Sequence, residues 1–289
     1  MVQGNTQPEG RGAPRTRAGG TLYVVGTPIG NLEDVTLRAL RILREVDLIA
    51  AEDTRRARVL LKHYGITTSV TSYYDANERQ KLGRILAALE EGDVALISEA
   101  GMPGISDPGY VLLRAAIERG IPVVPIPGPS AHTAALVVSG LPTDRFLFVG
   151  FLPRKRPEVA LEPLAELPFT LVFYEAPHRL IHTLQAMLMV LGDRELALCR
   201  ELTKVHEEVW RGHIAQALTW LEAHPPRGEY TLVVAGATEN SSRWDESQVR
   251  EALSEALSQG KSPSQAARYV AKLSGWPRQT VYALILESS

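Results

Sequence analysis

Short apolar runs alternate with amphipathic stretches through the first half of the chain, and that alternation predicts an open α/β sheet. Residues 21–25, 48–51, 94–97 and 122–126 read as buried strands, with 70–72 a weaker one. Between them apolar positions recur at helical spacing. Leu37, Leu40, Leu43 and Val46 mark one helix, a second carries Arg56, Arg58 and Lys62, and others cover 78–89, 110–119 and 131–138. Strand then helix, repeated up to Gly140, gives a mostly parallel α/β unit. From Phe146 the texture changes. Strands at 146–151, 169–174, 197–201, 209–212 and 230–235 share one helix, 180–191, which predicts a second α/β unit on a mixed or antiparallel sheet.

After Thr238 a polar linker leads into three helices at 248–257, 264–273 and 277–286, punctuated by Ser262-Pro263 and Gly275, with Pro277 suited to a first helical turn. The spacing of Ala266, Ala267, Val270 and Leu273, a glycine turn, then Val281 and Leu284 resembles a helix-turn-helix; a three-helix cap on the core is the plainer alternative. The expected organisation is a tail at 1–20, an N-terminal α/β domain at 21–140, a second α/β domain at 141–238 and a helical extension at 245–289.

The strand ends carry the candidate chemistry. The loop SEAGMPGISDPG, 98–109, holds three glycines, two prolines, Glu99 and Asp107, and is about twice the length of an ordinary strand-to-helix turn. Loops at the carboxyl ends of strands are where open α/β sheets bind ligands. The turn 26–31 resembles a dinucleotide fingerprint only in part: it lacks the third glycine, and Pro28 removes a backbone donor that a pyrophosphate needs. A small ligand without phosphates fits these Gly/Pro loops better. A further such turn, 127–131, opens a helix with Ser130 placed to cap it. Between Thr54 and Tyr64 stand four basic side chains (Arg55, Arg56, Arg58, Lys62) and no acidic one, either a solvated helix face or a phosphate-facing one. Further basic clusters lie at 154–156 and among Lys261, Arg268, Lys272 and Arg278.

Composition narrows the classes. The 289 residues are 45% hydrophobic and 22% charged with a net charge of −2, so any nucleic-acid partner is met by a local patch rather than by the whole molecule. The single cysteine, Cys199, excludes an intrachain disulfide, and no Cys/His spacing suits a metal. No apolar run approaches the roughly 18 residues of a membrane span. The first twenty residues are rich in Gly, Pro and polar side chains, lack the apolar middle of a signal peptide, and are expected to be a disordered tail. A cytoplasmic location follows by elimination.

Taken in order, GTPIGNLEDVTLRAL, AEDTR, SEAGMPGISDPGY, IPGPSA, FYEAPHR, RELTKVHEE and RGEYTLVVAG resemble the ribosomal RNA small-subunit methyltransferase I group, a branch of the tetrapyrrole (precorrin/corrin) methylase superfamily. The match runs from Thr21 to Ala237, and the helical tail fits the group's C-terminal extension. The resemblance implies a two-domain methyltransferase, usually a homodimer, with S-adenosylmethionine in the interdomain cleft. Its implied reaction is 2′-O-methylation of a cytidine ribose in 16S rRNA, at the decoding centre of the small ribosomal subunit. It implies cofactor contacts at Pro28, Glu99, Ala100, Gly101, Ile105, Ser130, Ala131, Tyr174, Gly228, Glu229 and Tyr230. One departure stands out. The group reads Ser-Asp-Ala-Gly-Thr-Pro where this chain reads Ser98-Glu99-Ala100-Gly101-Met102-Pro103, so side-chain bonds at Glu99 and Met102 are expected to differ while backbone contacts persist.

Methyl transfer to oxygen is an in-line displacement, so holding acceptor and methyl in line supplies much of the rate. A ribose hydroxyl is a poor nucleophile, and a positioned base adds about two to four orders of magnitude. Glu52, Asp53, Lys204, Glu207 and Glu229 are candidates, with His178 and His206 behind them. Asp53, Arg55 and Lys204 are the residues expected to act in catalysis, although a strand-end carboxylate such as Asp53 is as often a helix cap. Two other functions remain open: a small-molecule (tetrapyrrole-type) methyltransferase on the same fold, and a non-catalytic nucleic-acid-binding protein using the terminal helices. The basic clusters argue against the first and the cleft loops against the second.

Overall fold

A computed structural model describes residues 19–74, 76–237, 246–274, 276 and 278–287. The expected tail up to residue 18, most of the linker, and the turn residues Gly275 and Pro277 lie outside them. The first sheet is built from β1 (Leu22–Val25), β2 (Leu48–Ala51), β3 (Val70–Ser72), β4 (Val94–Ile97) and β5 (Val123–Ile126). Its order is β3-β2-β4-β1-β5 and every pairing is parallel. Helices α1 (Leu37–Glu45), α2 (Thr54–His63), α3 (Glu78–Glu91), α4 (Tyr110–Glu118) and α5 (Ala131–Ser139) connect the strands.

β4 shows why its sequence is apolar throughout. Ala95 and Ile97 join Leu40, Leu43, Leu60 and Leu61 of α1 and α2 on one face. Val94 and Leu96 join Ile85, Leu89 and Leu112 of α3 and α4 on the other. A parallel strand covered on both sides has no polar positions to alternate with. β1 and β4 lie side by side at the centre, so their carboxyl-end loops meet.

α5 does not pack on this sheet. Its Ala135 and Leu136 bury against Val172, Ala197, Cys199 and Val233 of the second sheet, so the chain crosses between the layers before the change in texture at Phe146. The second sheet comprises β6 (Phe146–Phe151), β7 (Thr170–Glu175), β8 (Glu195–Arg200), β9 (Glu208–His213) and β10 (Tyr230–Val234) in the order β6-β7-β10-β8-β9. β6 and β7 run parallel and the other pairs antiparallel, a mixed sheet. Its far face is covered by α6 (Pro157–Leu161), α7 (Leu180–Leu191) and α8 (Ile214–Ala223). The sequence pattern anticipates α7 but neither α6 nor α8. Three helices follow, α9 (Glu246–Ser258), α10 (Pro263–Ser274) and α11 (Arg278–Glu287), around a core of Val249, Leu253, Ala266, Val270, Val281 and Leu284. Among the described residues no helix is long and apolar enough to cross a membrane.

Candidate active site

Three strand-end loops of the first sheet are stitched together by backbone. Thr27 and Gly101 exchange N–H to carbonyl hydrogen bonds of 2.9 and 3.0 Å, which joins the loop after β1 to the loop after β4. The loop after β5 presses on the first of these so closely that a Cβ on Gly26 would lie 2.7 Å from the Gly128 Cα. Only glycine allows that approach. Gly101, at φ 86°, lets the second loop turn back over the sheet. The Met102 sulfur packs over Gly26, which gives that residue an apolar task in place of a hydroxyl's. The second sheet contributes the segment after β8, and a Cβ on Gly30 would meet the Lys204 side chain at 2.4 Å.

Between the two sheets these loops enclose a cavity of about 390 Å³. Glu52, Glu99, Asp107, Glu175, Glu201 and Glu229 line it, against two cations, Arg56 and Lys204. The wall therefore favours a cationic guest. Glu175 is fully buried and committed to structure. It pairs with Arg179 at 3.3 Å and accepts hydrogen bonds from Thr183 Oγ1 at 2.5 Å and the Ala176 N–H at 2.8 Å. Arg179 in turn donates to the Leu152 carbonyl at 2.7 Å, so the FYEAPHR motif clamps β7 to the chain leaving β6.

Lys204 Nζ lies 2.9 Å from both Glu201 Oε1 and Glu229 Oε2. Glu201 Oε1 also accepts the Glu229 N–H at 2.9 Å. Burial works to raise the Glu201 carboxyl, but Lys204 and the Glu229 N–H outweigh it and hold the group below its ordinary value. Burial likewise works against the Lys204 ammonium, and its two carboxylate partners outweigh that and raise it. Lys204 is thus a fixed cation and not a neutral proton acceptor. Glu99 reaches Arg56 at 2.8 Å, while its N–H donates to Glu52 Oε2 at 3.0 Å.

The opposite wall is aromatic. Tyr174 meets Phe148 at 5.0 Å and Phe151 at 5.5 Å between ring centroids, and His132 lies 4.6 Å from Phe148. A register shift between Phe148 and Gly150 turns the end of β6, and Phe151 there lines the cavity. Burial holds the His132 imidazole below its ordinary value and pushes the Tyr174 phenol up, so both are neutral near pH 7. Ser130 occupies the N-cap position of α5, but its side chain makes no capping bond. Its hydroxyl instead sits 2.9 Å from His132 Nδ1.

Of the residues singled out in the sequence, Glu99, Ala100, Gly101, Ile105, Ser130, Ala131, Tyr174, Lys204, Glu229 and Tyr230 come together around this cavity. Pro28 lines an adjoining cavity of about 280 Å³. Gly228 stands behind the wall at φ 73°, where a side chain would strike the Glu201 carboxylate. Asp53 and Arg55 line neither cavity. Asp53 caps α2, accepting from the Arg55 and Arg56 N–H groups at 2.7 and 3.4 Å, and its carboxyl is lowered chiefly by the Arg55 side chain. Glu207 accepts the Thr203 N–H at 2.6 Å, and His178 and His206 are exposed away from the cavities. Sequence reasoning missed Glu201 and His132. Glu201 and Thr203 hold φ of 49° and 67°, and Ser106 holds 60°, left-handed values that only coordinates disclose.

Residues 21–218 match the family model for tetrapyrrole (corrin/porphyrin) methylases. The chain belongs to that family. Residues 245–289 match a second model, the RsmI C-terminal HTH domain. A curated relative from Halalkalibacterium halodurans, named ribosomal RNA small subunit methyltransferase I, is 46% identical, covering 91% of this chain and 93% of its own. One of the same name from Synechocystis sp. is 48% identical, covering 93% and 98%. A crystal structure of diphthine synthase shares the fold at a TM-score of 0.61 and 16% identity, covering 75% of this chain and 90% of that one.

As a member of this family the chain is a methyltransferase whose methyl donor is S-adenosylmethionine. The residues present fit it. A sulfonium is a cation, and with Glu175 committed to Arg179 the wall still carries five carboxylates against two cations. A nucleoside without phosphates needs no P-loop lysine, and Gly101 presents bare backbone to the cavity wall. Bound there, the donor supplies an electrophilic methyl group. With the donor there, Phe151 and Tyr174 of the wall would shield it from water and Lys204 would stand beside it as a fixed charge.

Proposed function

We propose that this methyltransferase acts on ribosomal RNA of the small subunit, at the 2′-hydroxyl of a cytidine ribose in the decoding centre of 16S rRNA. The observation that carries the proposal is the juxtaposition of an acidic donor cavity with the cationic surface of α2. Arg55, Arg56, Arg58 and Lys62 are all exposed on that helix, and Arg56 also forms part of the cavity wall. Phosphate backbones bind such extended cationic surfaces. The names of the curated relatives point the same way. In this proposal Glu99, Ala100, Gly101, Ile105, Ser130, Ala131, Tyr174, Gly228, Glu229 and Tyr230 hold the donor, with Pro28 at the edge. Lys204 supports the developing charge, and Asp53 and Arg55 meet the strand carrying the acceptor.

The wider assignment is a cytoplasmic homodimer whose helical extension assists RNA binding. Exposed Arg268 and Arg278 support the last part, and the exposed apolar residues Ile117 of α4 and Val137 of α5 support self-association. The test is incubation with methyl-labelled S-adenosylmethionine and small subunits from a strain lacking this gene. Label on a ribose of the decoding-centre cytidine is expected. Donor binding with no label on subunits or naked RNA would overturn the RNA assignment and favour a small-molecule acceptor.

A further inference from the structure

The smaller cavity adjoins the donor cavity, and the two differ in character. Five residues, Ile29, Arg56, Glu99, Ala100 and Lys204, wall both. The charged side chains of the smaller one are two cations, Arg56 and Lys204, against a single carboxylate, Glu99. The donor cavity has the opposite balance. The remainder of the smaller wall is largely aliphatic, including Pro28, Leu32, Val59 and Leu60. Val59 is 62% exposed, yet it stands on α2 among Arg55, Arg56, Arg58 and Lys62. An uncovered apolar side chain within a cationic helix face suits a ligand with a flat apolar part and an anionic part.

We propose that the smaller cavity is the acceptor pocket, receiving one unstacked ribonucleotide whose base lies against Pro28, Leu32 and Val59 and whose phosphates face α2. The inference rests on the RNA function proposed above and adds where and how the acceptor is held. A paired helix cannot bring a ribose to the shared wall, because an A-form duplex is far wider than a cavity of about 280 Å³. The acceptor is therefore turned out of its strand, as nucleotides are in enzymes that do chemistry on a base. The ribose then meets Ala100, the Glu99–Arg56 pair and Lys204, the groups shared with the donor cavity. In the reaction the 2′-oxygen forms a bond to the donor's methyl carbon, the carbon–sulfur bond breaks with its electrons going to sulfur, and the hydroxyl proton leaves to solvent or to a wall carboxylate.

Val59 offers a clean test, because its exposure leaves the core untouched. Val59→Trp fills the pocket mouth, Val59→Glu places a like charge before the phosphates, and Val59→Thr keeps the shape. Methyl transfer to small subunits and S-adenosylmethionine binding by calorimetry are measured for each. Trp and Glu are expected to lower kcat/KM for subunits by at least about tenfold with donor affinity held within about twofold, and Thr to stay close to the native protein. Native rates with both Trp and Glu would overturn the proposal. So would a loss of donor affinity parallel to the loss of rate, which would assign the pocket to the donor. Should the unaltered protein bind donor and methylate neither subunits nor RNA, the parent reading falls first and this one with it.

Discussion

Replacing Lys204 with methionine keeps the aliphatic stem that lies against Gly30 and removes only the ammonium. Two interactions disappear, and their surroundings differ. Glu201 is 19% exposed, so its charged hydrogen bond is worth about 1.5–3 kcal/mol. Glu229 is 68% exposed, and an ion pair in that setting contributes at most about 1 kcal/mol. The variant should therefore be about 2–3 kcal/mol less stable than the native chain near neutral pH, measured by urea unfolding of the full protein. The pH dependence adds a sharper expectation. The native Glu201 carboxyl lies below 4.5, so the stability it contributes is present above that value and is lost as the pH falls through its folded pKa. Without Lys204, burial is opposed only by the Glu229 N–H and the Arg200 charge, and the carboxyl rises from its native value. The native–variant difference should be flat in the neutral range and shrink as the pH drops below 4.5. Lys204 itself is raised above 10.5, so its share persists until the pH climbs through that higher folded value. Because the donor cavity gains net negative charge, donor affinity should hold while methyl transfer falls by at least about tenfold, equivalent to about 1.4 kcal/mol of transition-state stabilisation. Native stability at pH 7 together with native methylation would refute the reasoning and reduce Lys204 to a surface charge.

Three further expectations use other parts of the site. Asp53→Ala should lower the melting temperature by removing the cap of α2, whereas Asp53→Asn keeps a capping oxygen. If Asp53 acts on the acceptor, Asn should be stable and slow, and a stable, fully active Asn variant would leave Asp53 a cap alone. Gly128→Ala forces the loops after β1 and β5 apart and should cost about 1–3 kcal/mol along with donor affinity, while Gly83→Ala, in open space within α3, should stabilise by up to about 1 kcal/mol. Calorimetry and thermal melts distinguish the two. Changing Arg55, Arg58 and Lys62 together to glutamine should flatten the salt dependence of RNA binding, the log–log slope falling by about 0.7 for each phosphate that is no longer neutralised. An unchanged slope would remove α2 from the RNA surface.

Periodicity suffices for most elements because their burial is simple. β4 is apolar at every position because helices cover both faces, and α1 shows its apolar stripe because only one side meets the sheet. α8 also carries a helical stripe, Ile214, Ala217 and Leu221 recurring at i, i+3 and i+7 directly after β9, so its sequence does signal it. α6 is too short for a period to register. α5 is legible as a helix, yet the sheet it serves is not, since Ala135 and Leu136 suit either surface. The glycines of the cleft announce close backbone approach but not its partner. That Gly26 faces Gly128, and Gly30 faces Lys204, depends on loops distant in sequence. Glu201 carries no local signal, because its left-handed backbone belongs to a residue type that seldom adopts it.

The departure at Glu99 shows how the site divides its charges. Its carboxylate bridges to Arg56 from the end of β4 to the helix after β2, and its N–H is held by Glu52 from the end of β2. One additional methylene lengthens the reach by about one carbon–carbon bond, roughly 1.5 Å. With an aspartate there, Arg56, whose side chain is 58% exposed, would have to change rotamer to keep the contact. The pair stands on the wall that the two cavities share. Carboxylates predominate on the larger cavity, while Arg56 and Lys204 line both. In the proposed function this ion pair, carrying one charge of each sign, lies on the wall common to a cationic donor and an anionic acceptor.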